Sequence, residues 1–540
     1  MMSSTSSSLL KASPSCSSKK TAGYQTIPTT SFDFDTDTVS VADADDDQPL
    51  LKQKFERQRK RRCTFFYGIL LGFTLAYASS IYDNLKWLIY WTEHYSRHQQ
   101  QQHSSSTSIT TTRGVNNNQR RNGLHYSHPL HTLLHGPHYR AKVSIGPRPY
   151  FLINEMDDDD DSNEVVGFTR PQLKETLQKC AHNLKTFYPS DFVLGHRGAA
   201  LQFPEHTDRS HDAASRMGAG LVECDINLTK DKQLICRHQR CDLHLTTDVL
   251  LIPHLANKCT QPFKPALGRI PATASCCTTD FTLHEIQNEM CGRMASFNRR
   301  AKTVQEYVSP THLASYRTDL YSHDCPRIQS HADFMTVVNA NGGSFVPEFK
   351  MLDYDFTRRT DGYTRKDYID QILLEYNTTD PMRVYPQGFI WEDLYYVTKN
   401  TKFGMNSFAL DKKLETLMYT KDELRNYLQP LVDHGVPAVA PTIFMLLDVN
   451  DRGNIVPSPY AQVANELGLD IIAWTFERSE SLSSGGGWYY SKLSNVLRTD
   501  SDMIKVLDVL YEDVGIKAVF TDWPSVVTFY ANCKGIALRR

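Results

Sequence analysis

Beyond residue 190 the sequence alternates between short apolar runs and amphipathic stretches, and this alternation limits the fold more than any other feature. The apolar runs are rich in β-branched and aromatic residues and lie at 192–195, 221–228, 345–349, 384–389, 403–410, 438–444, 471–476 and 518–520. Amphipathic segments typical of helices lie between most of them, at 368–376, 421–434, 460–467 and 501–512. Strands that alternate with helices predict a parallel α/β fold, and eight strands are the number that closes a (β/α)8 TIM barrel. The stretch 233–343 is too long for one crossover, so we expect it to hold a β-hairpin and an inserted subdomain, with the insertion over about 240–343.

The second apolar run, LVECDI, carries two carboxylates on one face. Side chains alternate along a strand, so Glu223 and Asp225 point one way while Val222 and Cys224 point the other. Two inward carboxylates on an apolar strand are costly unless a positive charge compensates them. Glu348, in the run VPEFK, offers a third carboxylate. The set is suited to one divalent cation, Ca²⁺ or Mg²⁺, and the alternative is salt bridging to nearby Arg or Lys.

Histidine and arginine follow the ends of two predicted strands. The first strand ends in Gly-His196-Arg197-Gly. Arg197 offers a planar fork for phosphate oxygens, and His196 transfers protons near neutral pH. Glu205 lies on the same loop, where it would bind a phosphate or orient Arg197. His238 follows the apolar run 234–236, so a hairpin could bring it back over the metal. A lone histidine is more often structural, but this combination at strand ends favours catalysis.

These stretches resemble a known family. HRGAALQFPEHT and GAGLVECDINLTKDKQLICRH are similar to the signature of the glycerophosphodiester phosphodiesterases, and PEFK, VYPQGF, AWTFE and VFTDWP follow in the family's order. The similarity covers about 191–533 and is closest to longer members with a large insertion. It implies a (β/α)8 barrel that hydrolyses glycerophosphodiesters to sn-glycerol 3-phosphate and an alcohol.

By motif match, the resemblance makes His196 and His238 the acid–base pair and assigns Glu223, Asp225 and Glu348 to one divalent cation. The residues it implies as phosphate or substrate contacts are Arg197, Glu205, Lys350 and Trp474.

One departure from the family pattern is Gln239, which follows His238 where the family has Asp. An Asp at this position would orient His238, so its absence could change the reaction rate. Which histidine is the base, and whether water or the substrate's 2-hydroxyl attacks, stay open. Two alternative functions are a lysophospholipase D or sphingomyelinase-D-like activity, and an inactive barrel that serves as a binding module.

The region before the barrel predicts a membrane anchor. Residues 63–82 carry no charge and would span about 30 Å as a helix, the thickness of a bilayer core. The basic run 52–62 precedes them, so we expect a single-pass type II protein with a disordered cytosolic tail at 1–62. A stalk and lead-in segment at 83–190 would then lead to a lumenal or extracellular barrel at 191–540.

Other features bear on location and partners. Asp46–Leu51 resembles an acidic dileucine signal for vacuoles or lysosomes, although a chance match is equally compatible and the plasma membrane is the alternative location. Ten of the twelve cysteines lie at or beyond Cys180, which favours disulfides, with Cys224 the candidate for a buried free thiol. The net charge of -2 gives no argument for nucleic acid. We expect a small-molecule substrate and a membrane as partners, and the oligomeric state stays open.

Smaller motifs complete the expectations. The sequons at Asn227 and Asn377 are compatible with a glycoprotein, although Asn227 lies too close to the predicted site to carry a glycan. The acidic run 157–161 is expected to be a solvated loop. The Gly-rich run 483–487 is either a mobile lid or a plain connecting loop.

Overall fold

A computed structural model describes residues 143–156, 172–351, 362–478 and 480–539. The predicted tail, the predicted span at 63–82, most of the stalk and the acidic run 157–161 lie outside these residues. Within the described ranges, no helix is long and apolar enough to cross a membrane.

The described residues form thirteen strands, and eight of these are parallel and close into a barrel at the centre of the fold. In chain order the strands are β1 (Ser190–Gly195), β2 (Ala219–Leu228), β3 (Leu234–Cys236), β4 (Gln261–Lys264), β5 (Thr273–Ser275), β6 (Ser344–Phe349), β7 (Gln387–Gly388), β8 (Phe408–Asp411), β9 (Ala438–Pro441), β10 (Leu447–Val449), β11 (Ile455–Pro457), β12 (Asp470–Phe476) and β13 (Ala518–Thr521). The barrel order is β1-β2-β6-β7-β8-β9-β12-β13, and β13 pairs with β1 to close it. The predicted (β/α)8 barrel is confirmed.

Two predicted strands are shorter in the structure. The predicted strand 403–410 begins only at Phe408, because Gly404–Asn406 form a 3-10 turn. Of the predicted run 384–389, only Gln387–Gly388 form a strand.

Helices surround the barrel and also occur in the insertion. They are α1 (Arg148–Glu155), α2 (Leu173–Asn183), α3 (Asp208–Arg216), α4 (Leu243–Thr246), α5 (Pro253–Ala256), α6 (Leu283–Glu289), α7 (Val304–Tyr307), α8 (His331–Ala340), α9 (Arg365–Glu375), α10 (Trp391–Asn400), α11 (Lys421–Asp433), α12 (Ile443–Leu446), α13 (Pro459–Glu466), α14 (Asp502–Val509) and α15 (Pro524–Lys534). Single turns of 3-10 helix occur at Val249–Leu251, Thr278–Asp280, Pro310–His312, Pro381–Arg383, Gly404–Asn406, Leu414–Met418, Leu482–Ser484 and Trp488–Tyr490, and a π-helix at Leu510–Val514. Helices α8, α9 and α11 begin with reciprocal capping boxes, which satisfy backbone N–H groups that the first turn leaves unpaired.

The alternation of side chains along the strands separates two apolar layers. Leu194, Leu221 and Val346 point into the barrel, where they meet Phe408 and Phe520. The residues between them point outward and contribute to the main core, which includes residues of the barrel helices. Because inward positions recur every second residue, the polar residues that follow at the carboxyl ends face the barrel mouth.

The insertion has an apolar core of its own. This second core runs from Ile235 to Ile328 and includes Leu243, Phe281 and Tyr307. Strands β4 and β5 form an antiparallel pair within it, inside the stretch 233–343 for which a β-hairpin was expected. The following helix α8 contributes Phe334 and Val338 to the main core. It therefore belongs to the outer layer of the barrel, although the predicted insertion ran to residue 343.

Ten cysteines form five disulfides, as their position in the chain favoured. The pairs are Cys180–Cys533, Cys224–Cys236, Cys241–Cys277, Cys259–Cys276 and Cys291–Cys325. The prediction that Cys224 is a buried free thiol is wrong. Strand β3 folds back antiparallel to β2 and pairs Cys236 with Ile226, which brings its sulfur beside that of Cys224.

Candidate active site

Three carboxylates meet at the mouth of the barrel. Glu223 and Asp225 on β2 and Glu348 on β6 each offer an oxygen within 4.8 Å of the others, and all three side chains are buried. The strand register explains the meeting, because Asp225 and Glu348 are opposite each other on neighbouring parallel strands. The sequence predicted this grouping, and it forms a candidate site for a metal ion.

The three carboxylates differ in their protonation. Burial raises the pKa of Glu223 well above its ordinary value, and the charges of Asp225 and Glu348 raise it further. Burial also raises the pKa of Glu348 to about 8, although Lys350 opposes the shift. Burial opposes ionisation of Asp225 as well, but Lys350 and His206 hold its pKa well below the usual range. A cation placed among them would relieve this repulsion.

The carboxylates are contacted by the ammonium group of Lys350, the amide of Gln387 and the imidazole of His206. Lys350 Nζ lies 2.9 Å from Glu348 Oε1 and 3.6 Å from Asp225 Oδ1. Salt bridges to a lysine were the predicted alternative to a metal ion, and two of them are therefore present. Gln387 on β7 donates from Nε2 to Glu223 Oε1 at 2.7 Å. His206 Nε2 lies 2.8 Å from Asp225 Oδ2. Asp225 Oδ1 and Gln387 Oε1 are buried and have no hydrogen-bond partner among the described residues.

His196 lies beside the carboxylates at the end of β1. Its Nδ1 is 2.6 Å from Asp522 Oδ1, and its Nε2 is 3.9 Å from Glu223 Oε2. Burial opposes ionisation of Asp522, but Arg478 and His196 hold its pKa well below the ordinary value. Burial lowers the pKa of His196 to about 4, although Asp522 opposes the shift. At neutral pH the imidazole is therefore uncharged, with its proton on Nδ1 and a lone pair on Nε2.

The turn after β1 positions Arg197. Arg197 and Gly198 have φ of 57° and 92°, and a Cβ on Gly198 would lie 2.4 Å from Ser210 Oγ. This turn lets the Arg197 N–H donate to Glu223 Oε2 at 2.9 Å. The Arg197 Nη1 lies 3.2 Å from both oxygens of Glu205. Of the two predicted roles of Glu205, the contact matches the one that orients Arg197.

Two predicted residues lie at the edge of this cluster. His238 is half-buried and directly follows Arg237, whose N–H donates to the Asp225 carbonyl oxygen at 2.8 Å, so its backbone lies beside β2. Trp474 on β12 donates from Nε1 to the Ala440 carbonyl oxygen at 2.7 Å.

The Gly-rich run continues this edge of the barrel mouth. Gly485, Gly486 and Gly487 all have positive φ. Trp488 follows the run directly, and its ring centroid lies 6.1 Å from that of Trp474.

Several functional candidates were missed by the sequence reasoning. Those that contact predicted residues are His206, Arg237, Gln387, Arg478 and Asp522, and Arg317 lies beside Asp522. Gln387 and Asp522 lie in two of the motifs that carried the resemblance, directly at or after strand ends. Their inward position at the carboxyl end of a strand was the signal that could have identified them.

A sequence model of the glycerophosphoryl diester phosphodiesterase family matches residues 196–526. An extracellular protein of Arthroderma benhamiae is 34% identical over 246 residues, which are 44% of this chain and 99% of that protein. A glycerophosphodiester phosphodiesterase of Arabidopsis thaliana is 22% identical over 360 residues, 64% of this chain and 86% of the relative.

Among solved structures, the chain is similar to an Oleispira antarctica phosphodiesterase in complex with the product sn-glycerol-3-phosphate. The TM-score is 0.36 and the sequence identity 14%, and the match covers 64% of this chain and 97% of that one.

Proposed function

The chain belongs to the glycerophosphoryl diester phosphodiesterase family, and we propose that it hydrolyses glycerophosphodiesters to sn-glycerol 3-phosphate and an alcohol by metal-dependent acid–base catalysis. The observation that carries the proposal is the position of His196. Its imidazole is held by Asp522, and its Nε2 lies 3.9 Å from Glu223, which belongs to the group of three buried carboxylates at the barrel mouth.

The three carboxylates suit one divalent cation, Ca²⁺ or Mg²⁺. Their oxygens converge from two strands, and Asp225 Oδ1 is buried with no hydrogen-bond partner among the described residues. Hard oxygen donors are the ligands that both ions prefer. A cation bound there would supply Lewis acidity toward the phosphoryl oxygens and offset their charge.

The protein's own groups move the protons. Because Nδ1 of His196 donates to Asp522, Nε2 is free to accept the proton of the nucleophile, which is water or the substrate's 2-hydroxyl. His238 then protonates the leaving alkoxide. Arg197 and Lys350 offset the charge that builds up on the phosphoryl group.

The first experiment measures release of sn-glycerol 3-phosphate from glycerophosphocholine by the full-length chain. EDTA should abolish the activity, and His196→Ala should lower kcat about 10²- to 10⁴-fold, the usual contribution of an acid–base group. His254→Ala is the matched control, because His254 is exposed in the insertion, with a side chain 62% accessible. Activity that survives both chelation and substitution of either predicted catalytic histidine would refute the proposal.

A lysophospholipase D or sphingomyelinase-D-like activity is the second candidate, because an aromatic wall surrounds Trp474. The ring centroids of Phe389, Trp488 and Tyr489 lie 5.9 to 6.1 Å from that of Trp474, and Trp488 is 44% exposed. Such a wall would suit an acyl chain. In the same assay, a higher kcat/KM for lysophosphatidylcholine than for glycerophosphocholine would favour this candidate.

We also propose that the barrel is lumenal or extracellular and that a single membrane-spanning segment at 63–82 precedes it in the chain. The five disulfides support an oxidising compartment.

A further inference from the structure

One side chain of the insertion reaches the barrel mouth with two nitrogen atoms that have no hydrogen-bond acceptor among the described residues. Arg317 Nη2 lies 3.9 Å from Asp522 Oδ2, and the Arg317 side chain is only 2% exposed. Its Nε and Nη2 atoms are buried and have no hydrogen-bond partner among the described residues. Burying a cation whose N–H donors have no acceptor costs free energy. A bound ligand that accepts from these donors would offset that cost.

Asp522 is not that acceptor. It already binds His196 at 2.6 Å through Oδ1 and Arg478 at 2.9 Å through Oδ2. At 3.9 Å, Arg317 is beyond hydrogen-bond distance from the same carboxylate. The Arg317 guanidinium and the His196 imidazole are therefore close neighbours on opposite oxygens of one carboxylate.

The loop that carries Arg317 is attached to the barrel. Tyr321 stacks on Phe203, which follows β1, with ring centroids 4.5 Å apart. Arg209 of α3 donates to the carbonyl oxygens of His323 and Asp324 at 2.8 and 3.0 Å. The disulfide Cys291–Cys325 closes the segment that contains Arg317. These contacts hold the guanidinium at the mouth of the barrel.

We propose that Arg317 binds a non-bridging oxygen of the substrate's phosphodiester, so that the insertion completes the phosphate site. A guanidinium presents several N–H donors in a plane, and phosphate oxygens accept such pairs. Arg317 and His196 lie on either side of the Asp522 carboxylate, and the phosphoryl group must lie beside His196 for the imidazole to act. The inference rests on the proposed function.

The test compares Arg317→Gln with the full-length wild type on three diesters whose alcohols are cationic, neutral and anionic. These are glycerophosphocholine, glycerophosphoinositol and glycerophosphoinositol 4-phosphate. We expect kcat/KM to fall about 10- to 100-fold on all three alike, the usual effect of losing a charged hydrogen bond. Inhibition by inorganic phosphate should weaken by a similar factor, which a merely structural role would not cause.

Two variants make the result interpretable. Arg317→Lys keeps the charge without the planar fork and should lose less activity. Arg300→Gln removes an exposed arginine of the same insertion and should behave as the wild type. A kcat/KM for Arg317→Gln within twofold of wild type would overturn the inference, and so would a loss confined to the phosphorylated inositol diester.

The failure of the proposed function has a different signature. In that case the wild type would hydrolyse none of the three diesters. Calorimetric titration with sn-glycerol 3-phosphate would still decide on Arg317, because Arg317→Gln should bind it more weakly, and equal affinity would refute the inference.

Discussion

At the scale of single residues, the candidate metal site places carboxylates where their charges repel one another. Burial raises the pKa of Glu223 well above its ordinary value and that of Glu348 to about 8. Both are higher than in the unfolded chain, so their contribution to stability is fully present at low pH and is lost as pH rises, for Glu348 through about 8. A bound cation adds stability in the same range, because it binds only the folded state.

We therefore expect the metal-free protein to lose stability between pH 7 and pH 8.5, above the range in which the buried histidines, whose pKa values are lowered, add stability as pH rises. Millimolar Ca²⁺ or Mg²⁺ should restore the midpoint of unfolding at pH 8.5. Glu223→Gln should stabilise the metal-free protein by about 1 to 3 kcal/mol, since it removes a buried repulsion, and should also abolish the response to the metal. Thermal denaturation with and without EDTA measures both effects, with the exposed Glu306→Gln as control. A metal response that persists in Glu223→Gln would contradict the assignment.

How far these residues were predictable depends on their distance from a strand. The period of two along β2 was enough to place Glu223 and Asp225 on the inner face, and the structure brings both together. Arg317 belongs to an irregular loop of the insertion, and its partner Asp522 follows the last strand of the barrel. No local pattern relates two such residues, because only the folded path of the insertion brings them together.

At the scale of elements, the strands were predictable and the covalent links between them were not. Apolar runs mark strands because a barrel strand is buried on both faces. A disulfide depends instead on which sulfur atoms meet after folding. The Cys180–Cys533 bond between α2 and α15 therefore could not be predicted from the spacing of the cysteines in the sequence.

Two disulfides should have different effects when removed. Cys180→Ser/Cys533→Ser removes the disulfide between the lead-in segment and the last helix. This disulfide lies away from the barrel mouth. It should lower the free energy of unfolding by about 2 to 5 kcal/mol while leaving KM near the wild-type value. Cys291→Ser/Cys325→Ser frees the segment that carries Arg317 and should raise KM severalfold. Chemical denaturation and kinetics on glycerophosphocholine measure the two effects. Equal KM values in the two variants would contradict this division.

At the scale of the whole molecule, the proposed topology joins a cytosolic tail to a barrel on the other side of a membrane. The described domain bears on this proposal through its two sequons. Asn227 is buried and donates from Nδ2 to the Arg237 carbonyl oxygen at 2.6 Å, so it cannot carry a glycan in the folded barrel. Asn377 is exposed, just after α9. The two positions therefore form a matched pair for a test of location.

In cells with a secretory pathway, the full-length chain should carry one endoglycosidase-sensitive glycan in the barrel. Asn377→Gln should remove the shift in mobility, whereas Asn227→Gln should leave it unchanged, because only an exposed asparagine on the lumenal side is accessible for modification. Protease added outside sealed microsomes should cut the tail and spare the barrel. A barrel that carries no glycan and is digested under these conditions would contradict the topology, because its residues would then face the cytosol.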